Sequence, residues 1–169
     1  MLYICIASPF GPLTVSADRD AVVAVEWGRA AEPESDETPL LRAVREQLDA
    51  YFDGTLRRFT LPLAPAGTPF QQRAWSRLQA IPYGACESYG ALARELQTAP
   101  RALAGACATN RLPIVIPCHR VIGARGALGG YSGGDGIETK RALLRLEGTI
   151  PAAGVTATAA DGMAWEERR

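Results

Sequence analysis

Five consecutive residues, Leu63-Ala64-Pro65-Ala66-Gly67, divide this chain into two stretches with different apolar patterning. Proline has no amide donor and glycine no side chain to pack, so neither a helix nor a sheet ladder runs through such a segment. Ahead of it the apolar residues come in short runs, Leu2 to Ala7, Leu13 to Ala17 and Ala21 to Trp27. Ser8-Pro9-Phe10-Gly11-Pro12 and Asp18-Arg19-Asp20 separate them, and these turn chemistries predict a small antiparallel meander. The acidic stretch from Ala30 to Glu37 reads as an exposed loop. Thr38-Pro39 then supplies an N-cap and a first-turn proline, and Leu41, Val44, Leu48 and Tyr51 or Phe52 follow at helical spacing up to Gly54. Leu56 to Leu63 reads as a returning strand.

Beyond the divide the helical period takes over. Thr68-Pro69 repeats the cap-plus-proline start, with Phe70, Ala74, Trp75 and Leu78 as the apolar stripe and Pro82-Tyr83-Gly84 as the stop. Ser88 starts a further helix carrying Leu92 and Leu96, broken at Thr98-Ala99-Pro100. The helix that follows, Pro100 to Ala108, consists almost wholly of small side chains. Two short helices joined by a tight turn suggest a helix-turn-helix. A face of Ala and Gly suits close backbone approach more than reading of base edges, which favours minor-groove or non-sequence-specific contact with DNA. Next come an apolar strand at 113–117, then Cys118-His119-Arg120-Val121-Ile122, and seven glycines between Gly123 and Gly136. A last helix spans about Ile137 to Leu146, with Ala142, Leu143 and Leu146 inward and Gly148 as its stop. The expected organisation is an α/β domain at 1–67, a helical DNA-facing domain at 68–150 and a loosely attached tail at 151–169.

Charge sharpens this division. The 169 residues hold 18 basic and 18 acidic side chains, a balance that argues against a polyanionic partner when taken whole. Residues 1–67 hold 6 basic and 10 acidic groups, whereas 68–150 hold 10 and 5, so the second part alone suits a polyanion. An apolar fraction of 47% is that of a globular chain and excludes collagen-like and disordered classes. No apolar run approaches the roughly 18–20 residues needed to span a bilayer, and no basic residue precedes the apolar start, so neither a membrane span nor a signal peptide is expected. Four cysteines without a Cys-x-x-Cys pair, and one histidine, make a zinc site unexpected. Reduced thiols and a cytoplasmic location follow as the default.

The chemistry concentrates at Cys118-His119, where the single histidine adjoins a thiol. A free thiol with a pKa of ~8.5 is only a few per cent thiolate at neutral pH, so a nucleophilic cysteine needs a base or donors beside it. Adjacent residues in an extended segment face opposite ways; His119 would then act through a water or after a turn, oriented by Asn110, Glu147 or Tyr89.

From Gly67 to Gly148 the chain closely resembles the catalytic domain of the O6-alkylguanine-DNA alkyltransferases, the methylated-DNA–protein-cysteine methyltransferases. The resemblance rests on Gly67-Thr68-Pro69-Phe70-Gln71, Ile81-Pro82-Tyr83-Gly84, Ser88-Tyr89, Arg101-Ala102, Asn110, Ile116-Pro117-Cys118-His119-Arg120-Val121-Ile122-Gly123, Gly130-Tyr131-Ser132-Gly133-Gly134, and Lys140 with Leu143-Leu144 and Glu147-Gly148. It implies a ribonuclease-H-like N-terminal domain followed by a winged helix-turn-helix catalytic domain. It also implies stoichiometric, irreversible transfer of the alkyl group from O6-alkylguanine in double-stranded DNA to the protein's own cysteine, with O4-alkylthymine as a further candidate substrate. No cofactor and no metal are implied, and a monomer suffices for a one-to-one encounter. Cys118 would be the acceptor, His119 the base acting through water, Glu147 the carboxylate orienting it, and Asn110 the brace of the turn. Tyr89 would protonate the leaving guanine, and Arg101 would fill the gap left by a flipped base while Ala102, Gly105 and Ala106 lie in the minor groove. Tyr131 and Ser132 would line the pocket, with main-chain groups at Cys118 and Val121 reading the guanine edge. The chain departs from the common Gly-Gly of the family at Ala104-Gly105, and Gly133-Gly134-Asp135-Gly136 lengthens the pocket loop relative to some members. A reading from a different class is a winged-helix DNA-binding protein in which Cys118 senses oxidants or alkylators without repair.

Overall fold

The structure, a computed structural model, describes residues 1–31, 35 and 37–150. The tail expected at 151–169 and part of the acidic loop lie outside the described residues. The N-terminal meander forms as expected: β1 (Leu2–Ile6), β2 (Leu13–Ala17) and β3 (Val22–Trp27) pair antiparallel in the order β1-β2-β3, with Ile4 opposite Val15 and Val15 opposite Val25. As the central strand, β2 is buried along its whole length. Helix α1 (Pro39–Phe52) packs against β1, capped by Thr38, whose hydroxyl accepts from the Leu41 amide at 3.2 Å. It buries Leu41, Val44, Leu48 and Tyr51. Leu56 to Leu63 does not return as a strand. Only Leu63 bridges the sheet, through Val22 N–H to the Pro62 carbonyl and Ala64 N–H to the Val22 carbonyl, both 2.9 Å. Pro62 and Pro65 have no amide to extend that bridge into a ladder.

Helix α2 (Pro69–Gln79) starts with a reciprocal cap between Thr68 and Gln71 and buries Trp75, whose indole N–H donates to the Ala106 carbonyl at 2.8 Å. That bond ties α2 to α4 (Pro100–Ala108). The short helix α3 (Tyr89–Glu95), capped by Ser88, packs on α4. Two-residue strands β4 (Glu87–Ser88) and β5 (Val121–Ile122) pair parallel, and α5 (Ile137–Leu146) closes the described chain. One apolar cluster runs from the sheet through α1 and α2 to α4 and the turn before Cys118.

Two expectations are corrected around the cysteine. Residues 113–117 form a turn rather than a strand: Ile116 N–H donates to the Leu112 carbonyl at 2.8 Å, and Ile114 sits at φ +74°, an uncommon conformation for a β-branched residue. Proline at both ends removes the donors a strand would need, and burial of the Ile114 side chain compensates the strain. Cys118, His119 and Arg120 then form one turn of 3₁₀ helix, so the thiol and imidazole do not alternate across an extended backbone. On α5 the buried face is Thr139, Lys140, Leu143 and Leu144, while Ala142 and Leu146 are only half-buried. The inward stripe therefore passes through a lysine, which patterning by polarity assigns to solvent.

Candidate active site

Asn110 organises the turn that carries the thiol. Its Oδ1 accepts from the Leu112 amide at 2.9 Å, and its Nδ2 donates to the Ile116 carbonyl at 2.8 Å and to Cys118 Sγ at 3.2 Å. Burial pushes the Cys118 thiol up; the Asn110 donor, the Lys140 charge and the backbone N–H groups of Cys118 and His119 work in the opposite direction by favouring the thiolate.

A second cluster gathers on Glu147. Oε1 accepts from His119 Nε2 at 2.8 Å, from the Tyr51 hydroxyl at 2.7 Å and from Arg120 Nη2 at 2.9 Å, while Oε2 accepts from Arg120 Nε at 2.9 Å. Burial alone would raise this carboxyl, but hydrogen bonds and charge from His119 and Arg120 outweigh it and lower it to about 2. An ionised carboxylate only accepts, so His119 Nε2 carries the proton and Nδ1 keeps the lone pair. Nδ1 is buried and has no hydrogen-bond partner among the described residues. Burial depresses the imidazole pKa more than Glu147 raises it, with Arg120 and Lys140 adding to the depression. The ring is thus a neutral base with its basic nitrogen unengaged.

Lys140 is fully buried, with Nζ donating to the Val121 carbonyl at 2.6 Å and lying 5.7 Å from the centre of the Tyr89 ring. Burial lowers its pKa, and the thiols of Cys118, Cys107 and Cys86 favour its charged form in return.

Cys118 opens on a cavity of about 300 Å³. Tyr89 and Tyr131 line it together with Cys107, Ala104 and Ala108 from α4, and the loop residues Gly130 and Ser132 complete the wall. The Tyr131 hydroxyl is buried without a partner among the described residues, and Ser132 Oγ donates to the Ala108 carbonyl at 3.3 Å. Burial raises the Tyr89 phenol and the Tyr131 phenol, so both stay protonated donors. Burial also pushes Cys107 up to about 12, which leaves it a thiol beside Cys118.

The structure brings together Cys118, His119, Glu147 and Asn110, and places Tyr89, Tyr131 and Ser132 on the cavity. Arg101, Ala102 and Gly105 share the exposed face of α4. Ala106 does not: the helical period turns it inward with Leu103 and Cys107, and its carbonyl is taken by Trp75. Val121 is buried away from the cavity lining, its N–H bonded to the Cys118 carbonyl and its C=O to Lys140, so its main chain is already engaged. Sequence reasoning missed Arg120, Lys140 and Tyr51 as parts of the site. Arg120 adjoins the histidine and Lys140 lies in a matched motif, but Tyr51 carries no local signal beyond its place in an apolar stripe. Among the described residues no three His, Cys, Asp or Glu side chains gather as a metal site, and no helix is long and apolar enough to cross a membrane.

A thiol with a fixed donor, a neutral imidazole and an ionised carboxylate behind it define a nucleophilic thiol site that opens on a largely apolar cavity. Residues 69–149 match the DNA binding domain of 6-O-methylguanine DNA methyltransferase, and residues 1–65 match its ribonuclease-like domain. The methylated-DNA–protein-cysteine methyltransferase of Methanosarcina acetivorans is 38% identical over 88% of this chain and 99% of its own length. The constitutive one of Bacillus subtilis is 39% identical over 86% and 94%. A crystal structure of Mycobacterium tuberculosis OGT in complex with DNA superposes with a TM-score of 0.79 at 41% identity, covering 90% of this chain and 96% of that one. The chain belongs to the 6-O-methylguanine DNA methyltransferase family, the methylated-DNA–protein-cysteine methyltransferases.

Proposed function

We propose that this protein repairs O6-alkylguanine in duplex DNA by moving the alkyl group onto Cys118, and that each molecule acts once. The observation that carries this reading is that Cys118 lines the 300 Å³ cavity with Asn110 Nδ2 at 3.2 Å from its Sγ, while His119 of the same turn is held by Glu147 at the end of α5. His119 Nδ1 takes the thiol proton through a water. The thiolate then attacks the alkyl carbon, a C–S bond forms, and the carbon–O6 bond breaks with its electron pair leaving on guanine. Tyr89 gives a proton to that leaving group, and the proton held by His119 passes through solvent to restore the Tyr89 phenol. The net exchange is one thiol proton for one alkyl group, with no cofactor.

A base stacked in duplex DNA cannot present its O6 substituent to a buried thiol, so it leaves the stack at a cost of a few kcal/mol. Arg101, exposed at the start of α4, fills the gap, and the small Ala102 and Gly105 let α4 approach from the minor groove. Helices α3 and α4 serve as a helix-turn-helix within a winged catalytic domain at 68–150, preceded by a ribonuclease-H-like domain at 1–67. The protein works as a cytoplasmic monomer. Tyr131 and Ser132 face the flipped base, and O4-alkylthymine is the second substrate to try.

The test is incubation with duplex DNA containing O6-methylguanine, followed by intact-mass and peptide analysis. One methyl on Cys118, unmodified guanine in the DNA and no transfer by Cys118→Ala are expected. A lesion that persists beside an unmethylated Cys118 would overturn the reading and leave a DNA-binding sensor.

A further inference from the structure

We infer that Tyr51 is a positioning residue through which helix α1 sets the base strength of His119. Tyr51 and Glu147 are 96 positions apart, yet the Tyr51 hydroxyl donates at 2.7 Å to Glu147 Oε1, the same oxygen that accepts from His119 Nε2. Arg120 Nη2 is the third donor there. A carboxylate oxygen offers about two lone-pair sites, so three donors share its electron density and each bond is weaker than it would be alone. The share taken by Tyr51 is withheld from the imidazole, which keeps the imidazolium form less favoured and His119 neutral.

The packing holds the hydroxyl in place. Tyr51 is fully buried, and its ring meets Phe52 at 5.4 Å, Phe59 at 5.3 Å and Tyr83 at 6.2 Å between centroids. Tyr83 in turn donates to the carbonyl of Leu146, next to Glu147, at 3.1 Å. Burial first, then the Glu147 charge, raises the Tyr51 phenol well above its ordinary range, so it acts only as a donor. The other charged or titratable groups acting on the His119–Glu147 pair are Arg120 and Lys140, with the Cys86 thiol, the Tyr83 phenol and, over the Tyr83 ring, Arg57 around them.

The inference rests on His119 serving as the base in alkyl transfer, but its decisive test does not need DNA. His119 is the chain's single histidine, so its ring signals in the nuclear magnetic resonance spectrum need no assignment. In Tyr51→Phe the Nε2–H proton should move downfield, because Glu147 Oε1 becomes a stronger acceptor. The acid limb of the transfer rate should move to higher pH by about half a unit, a roughly threefold loss below the limb. A residue with a merely structural role would lower the unfolding temperature and scale the rate equally at every pH without moving the limb. If Tyr51→Phe does not fold, 3-fluorotyrosine at position 51 keeps the hydroxyl and makes it a stronger donor, so both shifts should reverse sign. A His119 Nε2–H resonance unmoved in whichever of these proteins folds overturns the inference. Failure of wild-type transfer would instead overturn the proposed function and leave the resonance shift standing.

Discussion

Arg120 grips both oxygens of Glu147, Nε on Oε2 and Nη2 on Oε1 at 2.9 Å each, inside a site where the carboxylate is sealed from water. Its remaining bond, from Nη1 to the Ile81 carbonyl at 2.6 Å, anchors the guanidinium to the end of α2. A fork of this kind fixes the carboxylate plane, and His119 takes its orientation from that plane.

Truncating one partner of a buried ion pair leaves the other charge uncompensated. Arg120→Met should therefore cost about 3–5 kcal/mol in urea unfolding and slow alkyl transfer to DNA. A variant as stable and as fast as wild type would show that the fork is dispensable.

Stability should fall with acid in two stages. The folded His119 resists protonation, whereas an unfolded histidine takes a proton near pH 6.5, so stability begins to drop below that value. Glu147, lowered to about 2 in the folded protein, contributes stability that is complete above the ordinary carboxylate pKa and is lost as pH falls through about 2. That second stage is worth about 3 kcal/mol. Urea midpoints measured from pH 8 to below pH 2 follow both stages, and Glu147→Gln should lower the midpoint at pH 7 while flattening the lower one.

At Gly105 stability and binding should separate. A Cβ added there meets nothing within 4 Å, and alanine is favoured over glycine inside a helix by about 1 kcal/mol. Gly105→Ala should unfold at a slightly higher temperature yet bind duplex DNA more weakly, because the added methyl stands on the face proposed to approach the groove. Unchanged affinity in a mobility-shift titration would remove that face from the interface.

Arg101→Ala should slow repair of O6-methylguanine in duplex DNA but leave reaction with the free base O6-benzylguanine near the wild-type rate, since a free base leaves no gap in a stack. Equal losses on both substrates would mean that Arg101 acts on the pocket instead.

The meander, the cap-plus-proline starts of α1 and α2 and the Ser88 cap of α3 were legible because each depends on neighbours within a few positions. Cys118, His119, Asn110 and Glu147 were legible through motifs in one register. The strands expected at Leu56 to Leu63 and at 113–117 failed for a local reason, the prolines that withhold ladder donors. Ala106 failed because a helix of small residues has no polarity contrast to say which face is inward.

Residue order by itself determined the local elements, the charge difference between the two parts and the thiol next to the single histidine. Only the tertiary structure decided that Glu147 Oε1 is shared by His119, Arg120 and Tyr51, and that Lys140 lies buried behind Val121. The physical reason is distance along the chain. Polar groups this far apart in sequence have no periodicity in common, and they meet only when α5 packs against the Cys118 turn and Tyr51 of α1 reaches Glu147, which removes water and leaves each buried donor in need of a partner.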